Sequence, residues 1–153
     1  MKTYYDHFET PLGLMEVTAT DCAVKSIYFV GQAKKIDANK ITEAAKTQLI
    51  EYFEAERTEF DLPLDADGTE FQKKVWAALL TIPSGETCTY GDIAKQIDNP
   101  KGMRAVGLAN GKNPLTIVVP CHRVIGSNGK LTGYASGTDR KAWLLNHESD
   151  SLF

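Results

Sequence analysis

Apolar and polar positions alternate in short runs over the first thirty residues. Lys2 to Phe8, Leu14 to Ala19 and Val24 to Val30 are rich in aromatic and β-branched residues. The turn signals Thr10-Pro11-Leu12-Gly13 and Thr20-Asp21 separate them. The pattern predicts three strands in hairpin succession, hence an antiparallel sheet. The period then changes: Ile41, Ala45, Leu49, Tyr52 and Phe53 fall on one face of a helix. Glu54 to Asp67 is acidic, carries Pro63 and ends at Gly68. It reads as a linker, dividing the chain into residues 1–66 and 67–153.

The second part reads as short helices. Thr69-Glu70-Phe71-Gln72 has the capping-box pattern, and Phe71, Val75, Trp76 and Leu79 form a stripe behind it. Ile82-Pro83-Ser84-Gly85 ends that helix. Thr89-Tyr90-Gly91-Asp92 is a second cap, followed by Ile93, Ala94 and Ile97. Asn99-Pro100 predicts a third helix, with Asn99 as N-cap, proline in the first turn and a stop at Gly111. Two short helices joined by a tight turn fit a helix-turn-helix. Leu115 to Val119 is β-branched and predicts a buried extended segment. Val124 to Tyr134 is a glycine-rich loop, and Asp139 to Glu148 a closing helix with Trp143, Leu144 and Leu145 for burial.

Charge refines this division. The 153 residues carry a net charge of −3, which by itself argues against a nucleic-acid partner. Residues 1–68, however, hold seven basic and thirteen acidic side chains, while residues 95–141 hold eight basic and two acidic. An acidic part joined to a basic part suggests an acidic partner for the second. The hydrophobic fraction of 42% is that of a globular protein. No apolar run approaches the roughly 18 residues that span a bilayer, and the N-terminus lacks a signal-peptide core. A cytoplasmic protein without a membrane partner is the expectation. Three cysteines, Cys22, Cys88 and Cys121, lack metal-ligand spacing and form no even framework. Neither a metal nor another cofactor is expected, and Cys22 and Cys88 read as structural.

Pro120-Cys121-His122-Arg123 follows the buried run, so Cys121 stands at the edge of a core. A thiol becomes a nucleophile where a base or a cation favours its thiolate. His122 and Arg123 are the nearest such groups in sequence. Neighbours on an extended strand point to opposite faces, so a Cys121–His122 relay needs a bend or a bridging water. An inert buried cysteine is the competing reading.

Thr89-Tyr90-Gly91-Asp92-Ile93-Ala94, Asn99-Pro100, Arg104-Ala105-Val106-Gly107, Asn113-Pro114, Ile117 to Ile125, Gly133-Tyr134-Ala135 and Asp139 to Glu148 occur in one order. From about Phe71 to Glu148 the chain closely resembles the O6-alkylguanine-DNA alkyltransferases, also called methylated-DNA–protein-cysteine methyltransferases. The resemblance implies an α+β fold: an N-terminal ribonuclease-H-like antiparallel sheet with a helix, then a helical, winged-helix-like domain with a helix-turn-helix. It implies direct-reversal DNA repair, with Cys121 taking the methyl group of O6-methylguanine, and of O4-methylthymine, in one irreversible turnover. His122 would be the base and Glu148 its orienter. Tyr90 would help rotate the nucleotide and donate to the leaving base. Arg104 would fill the gap left by the flipped base, with Ala105, Lys101 and Arg123 as further DNA contacts. Asn113, Val124, Tyr134, Ala135 and Ser136 would shape the pocket, with the Cys121 and Val124 backbones meeting the guanine amine. Ser136 stands where many relatives have glycine, which would narrow the pocket against bulky alkyl groups. The implied partner is duplex DNA containing O6-alkylguanine, bound by a monomer. A non-catalytic lesion sensor is the alternative; such relatives replace the cysteine that this chain keeps.

Overall fold

The computed structural model describes residues 1–131 and 133–150. Thr132, within the predicted glycine-rich loop, and residues 151–153, the end of the predicted second part, lie outside them. The chain forms two compact units, Met1–Asp67 with Pro114–Val118, and Gly68–Asn113 with Val119–Phe153.

The first unit holds β1 (Tyr4–Thr10), β2 (Gly13–Ala19), β3 (Val24–Phe29) and α1 (Lys40–Phe53). The strands pair antiparallel in chain order. Met15, Val17, Ala19 and Ile27 are fully buried with Ala45, Leu49 and Tyr52 of α1, so the sheet and the helical stripe share one core. Asn39 begins α1 with a reciprocal capping box to Thr42. The β3 edge is covered by Leu64, bridged to Val24, and by Leu115, bridged to Ile27, which satisfies backbone groups that an open edge would leave unpaired.

The predicted extended run after Asn113 takes another form. Leu115 to Val119 is buried, but it turns twice instead of running straight. Val118 N–H bonds Thr116 O at 2.9 Å around Ile117, whose φ is 74°. That is a rare and strained γ-turn for a β-branched residue. Cys121 N–H then bonds Val119 O at 2.8 Å around Pro120. Prolines 114 and 120 remove ladder donors at both ends, so turns replace the strand.

In the second unit, α2 (Glu70–Leu79) and α3 (Tyr90–Gln96) open with complete capping boxes from Thr69 and Thr89. The helix α4 (Met103–Gly111) starts later than its sequence suggests, with Gly102 as N-cap. Gly102 N–H bonds Asn99 O at 2.9 Å, so Asn99 to Gly102 is a turn with Pro100 at its second position, which proline favours as much as a helical first turn. Trp76 Nε1 donates to Ala109 O at 2.9 Å and ties α2 to α4. A short parallel pair, β4 (Cys88–Thr89) with β5 (Val124–Ile125), flanks the helices, and α5 (Thr138–Asp150) closes the unit.

Candidate active site

Cys121 begins a single 3₁₀ turn, Cys121–Arg123, and all three residues are buried. The bend lets consecutive side chains share a buried environment, which an extended strand would prevent. Cys121 is 6% exposed. Burial pushes its thiol pKa up, opposed by a hydrogen bond from the Asn113 side chain and by the positive charge of Lys141. Asn113 also donates Nδ2 to Val119 O at 2.8 Å. It braces the turn that presents the thiol.

His122 is fully buried and places Nε2 2.7 Å from Glu148 Oε2. Burial lowers the imidazole pKa, while Glu148 raises it; the net shift is downward, so the ring is neutral at pH 7. For Glu148, burial opposes ionisation, but the bonds from His122 and Arg123 hold it well below the usual carboxylate range. An ionised carboxylate accepts only, so Nε2 carries the proton and Nδ1 is left as the basic lone pair. Nδ1 is buried without a hydrogen-bond partner among the described residues. The neutral His122 tautomer is thereby set with its base atom available.

Arg123 is 6% exposed. Its Nε and Nη2 donate to Glu148 at 2.8 and 2.9 Å, and Nη1 donates to Ile82 O at 2.6 Å. Every guanidinium nitrogen is engaged inside the protein, which is the place of a structural partner of Glu148 more than of an outward-facing contact. Arg123 neutralises and fixes Glu148 by a fork-to-carboxylate pair.

Lys141 and Asn110 were not singled out in the sequence, where nothing local marks them. Lys141 has no exposed surface. Its Nζ donates to Val124 O at 2.5 Å and lies 6.0 Å from the centre of the Tyr90 ring. Burial lowers its pKa. Asn110 donates Nδ2 to Cys121 O at 3.3 Å. Tyr134 is 8% exposed, and its hydroxyl is buried without a partner among the described residues; burial pushes its pKa far up, so it stays a phenol. Ala135 is exposed and Ser136 half-buried. The Ser136 carbonyl accepts from Arg140 Nη1 at 3.3 Å.

A second group of residues lies at the surface. A cleft of about 460 Å³ is lined by Thr89, Tyr90, Met103, Arg104, Gly126 and Ser127. Arg104, Ala105 and Lys101 are exposed. Between Asp98 and Asp139 the chain has no acidic residue. Tyr90 is half-buried, and its hydroxyl stands so close to Gly133, where φ is +70°, that a Cβ there would come within 2.9 Å. Glycine at 133 therefore answers both a left-handed backbone and the Tyr90 phenol. Cys22 is exposed in a turn, contrary to a structural role; Cys88 is half-buried, and burial with nearby Asp92 pushes its thiol up to about 11.

Residues 70–150 match the family model for the 6-O-methylguanine DNA methyltransferase DNA-binding domain, and residues 3–66 match the ribonuclease-like domain of the same family. A methylated-DNA–protein-cysteine methyltransferase of Methanosarcina acetivorans is 51% identical over 152 residues, covering 95% of this chain and 97% of the relative. One of the same name from Mycolicibacterium paratuberculosis is 50% identical over 147 residues, with 92% and 89% covered. The crystal structure of the Mycobacterium tuberculosis O6-methylguanine methyltransferase superposes with a TM-score of 0.90 at 44% identity, covering 98% of this chain and 94% of that one. A structure of the M. tuberculosis protein in complex with DNA gives 0.89 at 46% identity, with 96% and 93% covered. The α+β fold, a ribonuclease-like part followed by a DNA-binding part, is thus that of these relatives.

Proposed function

Because the chain belongs to the 6-O-methylguanine DNA methyltransferase family, we propose that it repairs DNA by moving the alkyl group of O6-alkylguanine onto Cys121. The observation that carries this reading is the buried chain of groups behind the thiol. Cys121 and His122 share one turn, and Glu148 fixes His122 Nε2 at 2.7 Å and leaves Nδ1 free to accept a proton. This is the nucleophile, base and orienter arrangement of covalent catalysis.

The Cys121 proton passes to His122 Nδ1 through a water. Sulfur then attacks the methyl carbon in line as the carbon–O6 bond breaks, and the electron pair returns to the purine. Tyr90 donates a proton to the leaving base, which ends as neutral guanine. The proton taken by His122 returns through water to the Tyr90 oxygen, so in balance the thiol proton is the one the guanine keeps. The other product is S-methylcysteine, a stable thioether, so the protein acts once. At rest, burial keeps Cys121 as a thiol; Lys141 and Asn113 favour its thiolate when the proton leaves.

A stacked base cannot reach a buried sulfur, so the nucleotide must leave the duplex. Arg104, exposed near the start of α4, fills the vacated stack, with Lys101 and Ala105 beside it. Minor-groove docking suits a protein that must ignore sequence, because that groove's code is degenerate. Residues 1–66 serve as scaffold and 67–153 as the DNA-binding and alkyl-acceptor domain, in a cytoplasmic monomer. The test is intact mass after mixing with a duplex carrying one O6-methylguanine. One methyl should appear on Cys121, and none in Cys121→Ala. Retained DNA binding without transfer in the unaltered protein would favour a lesion sensor instead.

A further inference from the structure

We propose that Asn110 helps determine which alkylated base the pocket accepts, by holding a hydrogen-bond donor on the carbonyl of the nucleophile itself. The inference rests on reading Cys121 as the acceptor of an alkyl group from a DNA base. Asn110 is 1% exposed and lies in the last turn of α4. The backbone there is fastened by the bond from Trp76 Nε1 to Ala109 O. Asn110 Nδ2 reaches Cys121 O at 3.3 Å, and its Oδ1 is buried with no partner among the described residues. One end of this amide makes a long bond and the other makes none, an unsatisfied state that buried polar groups rarely keep. An apolar side chain of the same size would avoid that cost.

The Cys121 carbonyl has two lone pairs. One takes the Val124 N–H that closes the 3₁₀ turn, and the other takes Asn110. At 3.3 Å the Asn110 bond lies beyond the usual range, so it is the one that yields to a ligand.

The two alkylated bases differ at the matching position. With the alkylated oxygen aimed at sulfur, each base next presents a ring nitrogen, N1 of guanine or N3 of thymine. Beyond it guanine carries an amine, a donor, and thymine carries O2, an acceptor. A guanine amine can take the lone pair that Asn110 occupies. Thymine O2 would face a bare carbonyl unfavourably, but Nδ2 has two hydrogens. One stays on Cys121 O and the other serves O2. Lys141 repeats the arrangement on the Val124 carbonyl, with Nζ at 2.5 Å. The pocket therefore lays donors over its own acceptors, and Asn110 lets thymine share a site that bare carbonyls would reserve for guanine.

Asn110→Leu keeps the branched shape of the side chain, adds some bulk and removes the donor; Asn110→Ala removes the donor without added bulk, and both are read by the same ratio. Single-turnover rates are measured on two duplexes of one sequence, carrying O6-methylguanine or O4-methylthymine. The thymine rate should fall at least about tenfold more than the guanine rate, the scale of discrimination between a matched and a missing hydrogen bond. A rate ratio within about threefold of the unaltered protein, in a variant with native circular dichroism, overturns the proposal and leaves Asn110 a structural role. If Asn110→Leu does not fold, Asn110→Ala decides. Unaltered protein that repairs guanine and leaves thymine untouched also overturns it. Methyl transfer from neither duplex would instead sink the alkyl-acceptor reading.

Discussion

Replacing Glu148 with Gln keeps the shape of the side chain and removes its charge. In the native protein the carboxylate is 1% exposed and accepts hydrogen bonds from His122 Nε2 and from Arg123 Nε and Nη2. The variant leaves the Arg123 guanidinium buried with the Ile82 carbonyl as its remaining acceptor outside residue 148. Breaking one partner of a buried ion pair costs about 3–5 kcal/mol, because the other charge stays desolvated. For a chain of this size that is a fall in melting temperature of about 6–20 °C. The pH dependence has a definite sign. The folded-state pKa of Glu148 is depressed, so its contribution is complete above the unfolded-state value of about 4.3 and is lost as pH falls below it. Urea midpoints of native and Glu148→Gln protein should therefore differ widely at pH 7 and converge toward pH 3. Adding Arg123→Met to Glu148→Gln should recover much of the loss, since the uncompensated cation is gone. A melting temperature within about 2 °C of native, or a gap that does not change with pH, would refute the ion-pair account.

Two further outcomes follow from the site. Lys141→Met removes the buried cation that favours the Cys121 thiolate, so the pH–rate profile of methyl transfer should move to higher pH; an unmoved profile would refute an electrostatic effect of Lys141 on the thiol and leave its bond to the Val124 carbonyl. Arg104→Ala should slow repair of duplex substrate far more than reaction with free O6-methylguanine base, and equal losses would count against a role in base flipping.

Elements specified by adjacent residues were legible in the sequence. The three strands, the helix from Ile41 to Phe53 and the caps at Thr69 and Thr89 depend on local alternation and on side chains three positions apart, and all are present. Competing local rules were harder to separate. Asn99-Pro100 suits both a turn and a helix start, and the turn prevails, delaying α4 to Met103. The β-branched run to Val119 suits a strand, yet the flanking prolines turn it. In the site, Cys121 and His122 stood out by their pairing, whereas Glu148 followed only from the resemblance. The burial of Arg123 is not legible locally, because an arginine's default place is solvent and its carboxylate partner lies 25 residues away. Asn110 and Lys141 act through backbone carbonyls, which carry no residue-specific signal.

Cysteine burial also governs how long the unused protein keeps. Oxidants such as peroxide react with thiolate that they can reach. Cys121 offers little surface and is held protonated, while Cys22 stands in the open. Stored protein should thus oxidise first where nothing is lost, and its shelf life as a reagent is set by how rarely the turn around Cys121 opens.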